Sequence, residues 1–236
     1  MIGLLAVLPV ARAEQAGNSL KTGVSLGATL TRGNSETLQG HAKLETEGTM
    51  ARVGSVRAGL EGQYGESKVD EERSTTVDNA RAYANARKTL SERTFVYGDG
   101  STLYDTVAKI SWRATAGPGL GVYFVKNERA TLSVEAGLAY VWERVDGARD
   151  EFAAYRLAER LEIKLSDTAR LWQTAEYLPQ TDEFDDFRLT AELGVEAAVN
   201  ARLNLRLVFK DTYDSRPADD VKKNDMSLIA GIGIKL

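Results

Sequence analysis

Gly23-Val-Ser25-Leu-Gly27 has the spacing of a hydrolase nucleophile elbow, and it is the first stretch of this chain that suggests chemistry. A nucleophilic serine of that kind sits on a sharp strand-to-helix turn. Here apolar and polar residues keep alternating to Leu30, and a turn then leads into another strand. Small residues on a polar strand face account for the pattern better than a nucleophile does. His41 is the single histidine of the 236 residues, and it shares a face with Gln39, Lys43 and Glu45. One imidazole without cysteine leaves no usual zinc ligand set and limits triad chemistry. Gly117-Pro-Gly119-Leu-Gly121 is glycine-rich, but no helix N-terminus follows to hold a phosphate. Its glycines are expected to relieve crowding or to bend a strand. The clusters Asp182–Asp186 and Asp214–Asp220 are read as acidic loops, either simply solvated or holding divalent cations. No catalytic residue, metal site or cofactor is expected, and the chain is read as a non-enzyme.

What remains is charge in a regular place. Arg57, Glu61, Arg81, Arg113, Glu135, Arg156, Arg160, Glu192 and Arg206 all fall on the polar side of alternating segments. The formal net charge is -4, so no basic field for nucleic acid exists. Charges of both signs on one set of faces suit a wet, enclosed wall, and these nine residues are the candidate lumen-lining set.

The elements that hold them are strands. Leu203, Leu205, Leu207 and Phe209 oppose Arg202, Asn204, Arg206 and Lys210, and Leu132 to Trp142 repeat that two-residue rhythm. Such alternation means one apolar and one polar face. Tyr155 to Leu165 has a helix-favouring composition, yet its leucines share parity against Arg156, Arg160 and Lys164, so it too is read as a strand. The full chain reads as about twelve strands, centred near Leu26, Ala42, Ala58, Ala82, Tyr97, Gly119, Ala136, Leu157, Gln173, Leu193, Leu205 and Ile232. The segments at Tyr97 and Gln173 are the least regular, and a bulge or bend is expected in the stretch 98–105. Even-numbered connections such as "LSER" and "VNAR" are short. Odd-numbered ones, including "GESKVDEERSTT", "RVDGARDE" and "DTYDSRPADDVKKND", read as longer and acidic, with the short first one, "TRGNSET", as the exception. This is an up-and-down antiparallel meander.

A meander of this length removes its edges by closing. A closed ring beyond about eight strands has a lumen too wide to fill with leucine alone. The many alanines at 80, 82, 84 and 86 could not fill it either. The apolar faces must then point to lipid and the charged faces inward, as in an all-β transmembrane barrel. Trp112, Phe124, Tyr140 and Trp142 stand near the ends of apolar faces, where interfacial aromatics belong. At the start, Ile2 to Val10 is apolar and Ala11-Arg12-Ala13 is an A-x-A cleavage signal. Residues 1–13 are therefore expected to be a signal peptide and 14–236 the barrel domain.

Gly23 to Thr37, "GVSLGATLTRGNSET", resembles the opening of the YdiY-like family of salt-induced outer-membrane proteins with a domain of unknown function. The short "LSER" and "LSDTA" turns and the final alternating strand fit as well. The resemblance implies an outer-membrane barrel of a Gram-negative bacterium and a link to salt or osmotic stress. Its implied partners are outer-membrane lipids, lipopolysaccharide and the barrel-assembly machinery. One departure is the last residue, Leu236, where such barrels often end in an aromatic. Three functions stay open: a passive pore for ions or small polar solutes, a structural barrel closed by its own ion pairs, and a soluble periplasmic ligand-binding barrel.

Overall fold

The computed structural model describes residues 18–31, 36–69 and 72–235. Residues 1–13, the expected leader, lie outside this set. Twelve strands form it: β1 Ser19–Thr31, β2 Glu36–Met50, β3 Gly54–Val69, β4 Glu72–Thr89, β5 Thr94–Asp105, β6 Ile110–Lys126, β7 Ala130–Val145, β8 Ala148–Lys164, β9 Ala169–Pro179, β10 Phe187–Ala198, β11 Leu203–Asp214 and β12 Asn224–Lys235. Each of the expected centres lies in its own strand. Every strand pairs antiparallel with its chain neighbours, and β1 pairs with β12 to close the ring. That seam is short, running from Gly23↔Lys235 to Gly27↔Gly231.

The polarity is inverted relative to a soluble protein. Leu26, Leu60, Leu120, Leu138, Leu193, Leu205 and Leu228 stand between 45% and 62% exposed on the outer surface. Burying a leucine is worth about 1.5–3 kcal/mol, so a continuous ring of bare leucines in water is not tenable. Hydrocarbon has to surround it. The fold is an up-and-down antiparallel transmembrane β-barrel. Outward aromatics gather towards one end, at Tyr64, Tyr104, Trp112, Tyr140, Trp142 and Tyr155. Phe124 lies towards the other end, beside Lys126 at the end of β6.

The connections at that other end are short, spanning 51–53, 90–93, 127–129, 165–168 and 199–202. The aromatic end differs from the sequence expectation. The "GESKVDEERSTT" stretch is nearly all strand, since β3 reaches Val69 and β4 resumes at Glu72. "RVDGARDE" is a two-residue hairpin turn in which Asp146 and Gly147 take φ of 47° and 81°. Two positive φ values in succession define the type I′ turn that Asp-Gly favours. The longer loops are 180–186 and 215–223. The irregularity expected in 98–105 falls at its end, where the β5–β6 register shifts between Leu103 and Asp105.

Candidate functional site: the lumen

Alternation sends every second side chain into the barrel, and register decides which of them meet. Near the aromatic end, Glu143 on β7 accepts from Arg113 Nε on β6 at 2.6 Å and from Arg188 Nη2 on β10 at 2.8 Å. Asp214 on β11 closes the belt, 3.3 Å from Arg188 and 3.7 Å from Arg113. β6 and β11 are far apart around the ring, so this belt crosses the lumen instead of following its wall. The Arg188 guanidinium lies 5.4 Å from the Phe152 ring centre. Below that ring, Ala139, Val141, Ala154 and Leu178 make a small apolar cluster inside the barrel.

Deeper, Glu135 on β7 is held by Arg156 Nη1 at 2.8 Å and Arg87 Nη2 at 2.6 Å. Arg156 Nε reaches Glu176 at 2.7 Å. Arg156 packs over Tyr97 at 5.0 Å and Arg87 over Phe95 at 5.1 Å. These aromatics explain the irregular fifth strand. Phe95 and Tyr97 point inward and lie across Gly121 and Gly119 of β6. A Cβ at Gly121 would sit 2.1 Å from the Phe95 ring, and one at Gly119 2.3 Å from the Tyr97 hydroxyl. The run Gly117-Pro-Gly119-Leu-Gly121 is a bed for aromatic rings. The irregular ninth strand has the same cause, because Trp172 faces inward across Gly194.

The opposite side of the lumen is more open. Ser25, His41, Lys43, Glu61, Arg206 and Lys210 are among the residues that line one pocket open to the lumen. Lys210 Nζ bonds Glu61 at 3.0 Å, and Arg81 lies 3.8 Å from the same carboxylate. Arg57 meets Glu45 at 3.1 Å, and the Tyr83 hydroxyl donates to that carboxylate too. Arg206 donates to Ser25 Oγ at 2.6 Å and lies 3.4 Å from Glu196. Trp172 is flanked by Arg206 and Arg170, with ring distances of 5.0 and 5.6 Å, and its Nε1 donates to Glu192 at 2.7 Å.

The structure thus joins Glu135 with Arg156 and Glu61 with Arg81, and it sets Glu192 and Arg206 around one indole. Arg57 and Arg113 pair with Glu45 and Glu143, two carboxylates absent from the candidate set. Arg160 bonds Glu162, two residues further along its own strand. Arg188, Lys210 and Asp214 also join the belts; the first two share parity with Glu192 and Arg206 and were legible on that ground. Asp214 read as loop, yet it ends β11 and turns inward. Ser25 sits mid-strand as an acceptor for Arg206, with no helix behind it. In the acidic loop, Glu183 bonds Arg216 at 2.6 Å. Among the described residues no three His, Asp or Glu side chains gather as metal ligands.

A family model described as "Protein of unknown function, DUF481" matches residues 24–236. No curated protein matches. Among solved structures, the NanC porin aligns with TM-score 0.57 and 8% identity over 92% of this chain and 100% of that one. The COG4313 outer membrane channel from Pseudomonas putida F1 aligns with TM-score 0.55 and 9% identity, covering 97% and 100%. The translocator domain of the autotransporter NalP from Neisseria meningitidis aligns with TM-score 0.50 and 15% identity, covering 91% and 87%. At such identities the likeness is one of fold.

Proposed function

The chain belongs to the DUF481 family, and we propose that this member is an outer-membrane barrel of a Gram-negative bacterium that passes ions and small polar solutes passively. The observation that carries this reading is that three of the inward charges stay wet although their partners are buried. Arg81 and Glu176 keep 36% and 35% of their side-chain surface open to water, and Arg57 keeps 25%. A plugged barrel would bury these groups. In this reading solutes pass beside the cross-lumen belts, and selection is by size and by paired charge. Arg57, Arg81, Arg113, Arg156, Arg160 and Arg206 tune it against Glu61, Glu135 and Glu192. The short-turn end faces the periplasm, as in barrels of this kind. Lipopolysaccharide then meets the aromatic end, and folding depends on the barrel-assembly machinery. The YdiY-like resemblance adds a role under salt or osmotic stress, which growth of a deletion strain in high salt would check.

Planar bilayers test the pore. Purified, heat-modifiable barrel should give steady single-channel steps, and Arg156→Glu should change their size or ion preference. The belt of Arg113, Glu143, Arg188 and Asp214 favours a second reading, a structural barrel sealed by ion pairs. Silence from correctly folded protein would select it and sink the pore.

A further inference from the structure

Below the aromatic girdle and above the short-turn ends, the outward faces carry charged-type side chains at only two positions among the described residues. These are Glu159 on β8 and Asp211 on β11. Both lie in one row across four strands, Glu159↔Ala175↔Ala191↔Asp211. Gln173, also outward, donates its amide to Glu159. Leu157, Leu161, Val134 and Leu193 surround that pair on its own and neighbouring strands. Asp211 Oδ1 is buried and accepts no hydrogen bond among the described residues. On the far side of the ring the mid-strand outward positions of β4 are Ala80, Ala82 and Ala84, with no carboxyl among them. Carboxyl groups facing lipid are disfavoured, and an ionisable residue in a membrane surface points to a partner.

We propose that the β8–β11 face is where a second copy of this chain docks, side by side in the membrane. A two-fold axis along the membrane normal, passing between Glu159 and Gln173, sets each Glu159 against the Gln173 of the second copy. Donors then meet acceptors twice, which is the self-complementarity an isologous interface requires. Ala175 and Ala191 have no side chain beyond Cβ, so the two sheets can approach closely, as small residues allow in membrane interfaces. A lipid tail offers Glu159 nothing; a copy of the same surface offers it a second amide.

The inference rests on the membrane-spanning reading, which detergent extraction and the heat-dependent gel shift test separately. The chain has no cysteine, so single cysteines report cleanly. In native membranes, Ala175→Cys should yield a covalent dimer under mild oxidation and Ala82→Cys, on the far side, should not. Adding Glu159→Leu and Gln173→Leu to the Ala175→Cys chain should abolish the dimer while the gel shift persists. Equal cross-linking at both cysteines would overturn the proposal. So would a dimer that survives the double substitution, capture of a different protein at residue 175, or a monomer that never cross-links.

Discussion

Glu143 shows how much a single lumen side chain controls. It is 8% exposed and answers two guanidinium groups at once. A buried ion pair adds little net stability over an apolar substitute, but losing one partner is costly because the other charge is stranded. Glu143→Ala leaves Arg113 and Arg188 facing each other with only Asp214 between them. It should destabilise the barrel by about 3–5 kcal/mol, read from urea unfolding in lipid vesicles, and it should also raise single-channel conductance by loosening the belt. Glu183 is a milder case, at the surface of the 180–186 loop. Its bond to the Arg216 guanidinium holds its carboxyl below the usual range. A depressed carboxyl contributes its contact above the ordinary glutamate pKa of about 4.3 and loses it as pH falls through the lower folded value. The loop contact should therefore be intact at neutral pH and vanish only under distinctly acid conditions. Carboxyl chemical shifts of Glu183 in the folded barrel, with Arg216→Ala as control, would show this. A midpoint unchanged by Arg216→Ala would refute the pairing.

At the scale of elements, the decisive join is β1 with β12. Most neighbouring strands share long registers, but this seam is held by the few pairs from Gly23↔Lys235 to Gly27↔Gly231. Gly231 is tight there, since a Cβ would lie 2.5 Å from the Leu26 carbonyl oxygen. That obstacle is backbone and cannot rotate away. Gly231→Val should prevent closure, leaving protein that no longer shifts on heating and is readily proteolysed, whereas Ala230→Val, facing outward, should be tolerated. The irregular strands belong to this scale too. β5 and β9 looked uneven because Phe95, Tyr97 and Trp172 break the rule that large apolar residues face out. Each is accommodated by a cross-strand glycine, a pairing invisible until register is known. Local turn chemistry is legible in Asp146-Gly147, a hairpin signal, while the charge in its flanks is what a longer acidic loop would also show.

For the whole molecule, inverted polarity sets the behaviour. The barrel should fractionate with membranes, need detergent for extraction and migrate faster before boiling than after. Release by osmotic shock alone would contradict the membrane-spanning fold. Most of this was readable from alternation. Strand number, strand centres and the face occupied by Arg57, Glu61, Arg81, Arg113, Glu135, Arg156, Arg160, Glu192 and Arg206 follow from a period of two, which is a property of consecutive residues. Partnerships do not follow from it. Lys210 meets Glu61 across 149 residues of chain, and Arg206 meets Ser25 across 181. Only closure of the ring brings such groups together, because register and curvature are set by all twelve strands at once. The sequence by itself therefore determined a barrel with a charged interior and an apolar exterior. Tertiary structure alone decided which charges bridge the lumen, which side of it stays open, and that Glu159 and Gln173 meet on the outside.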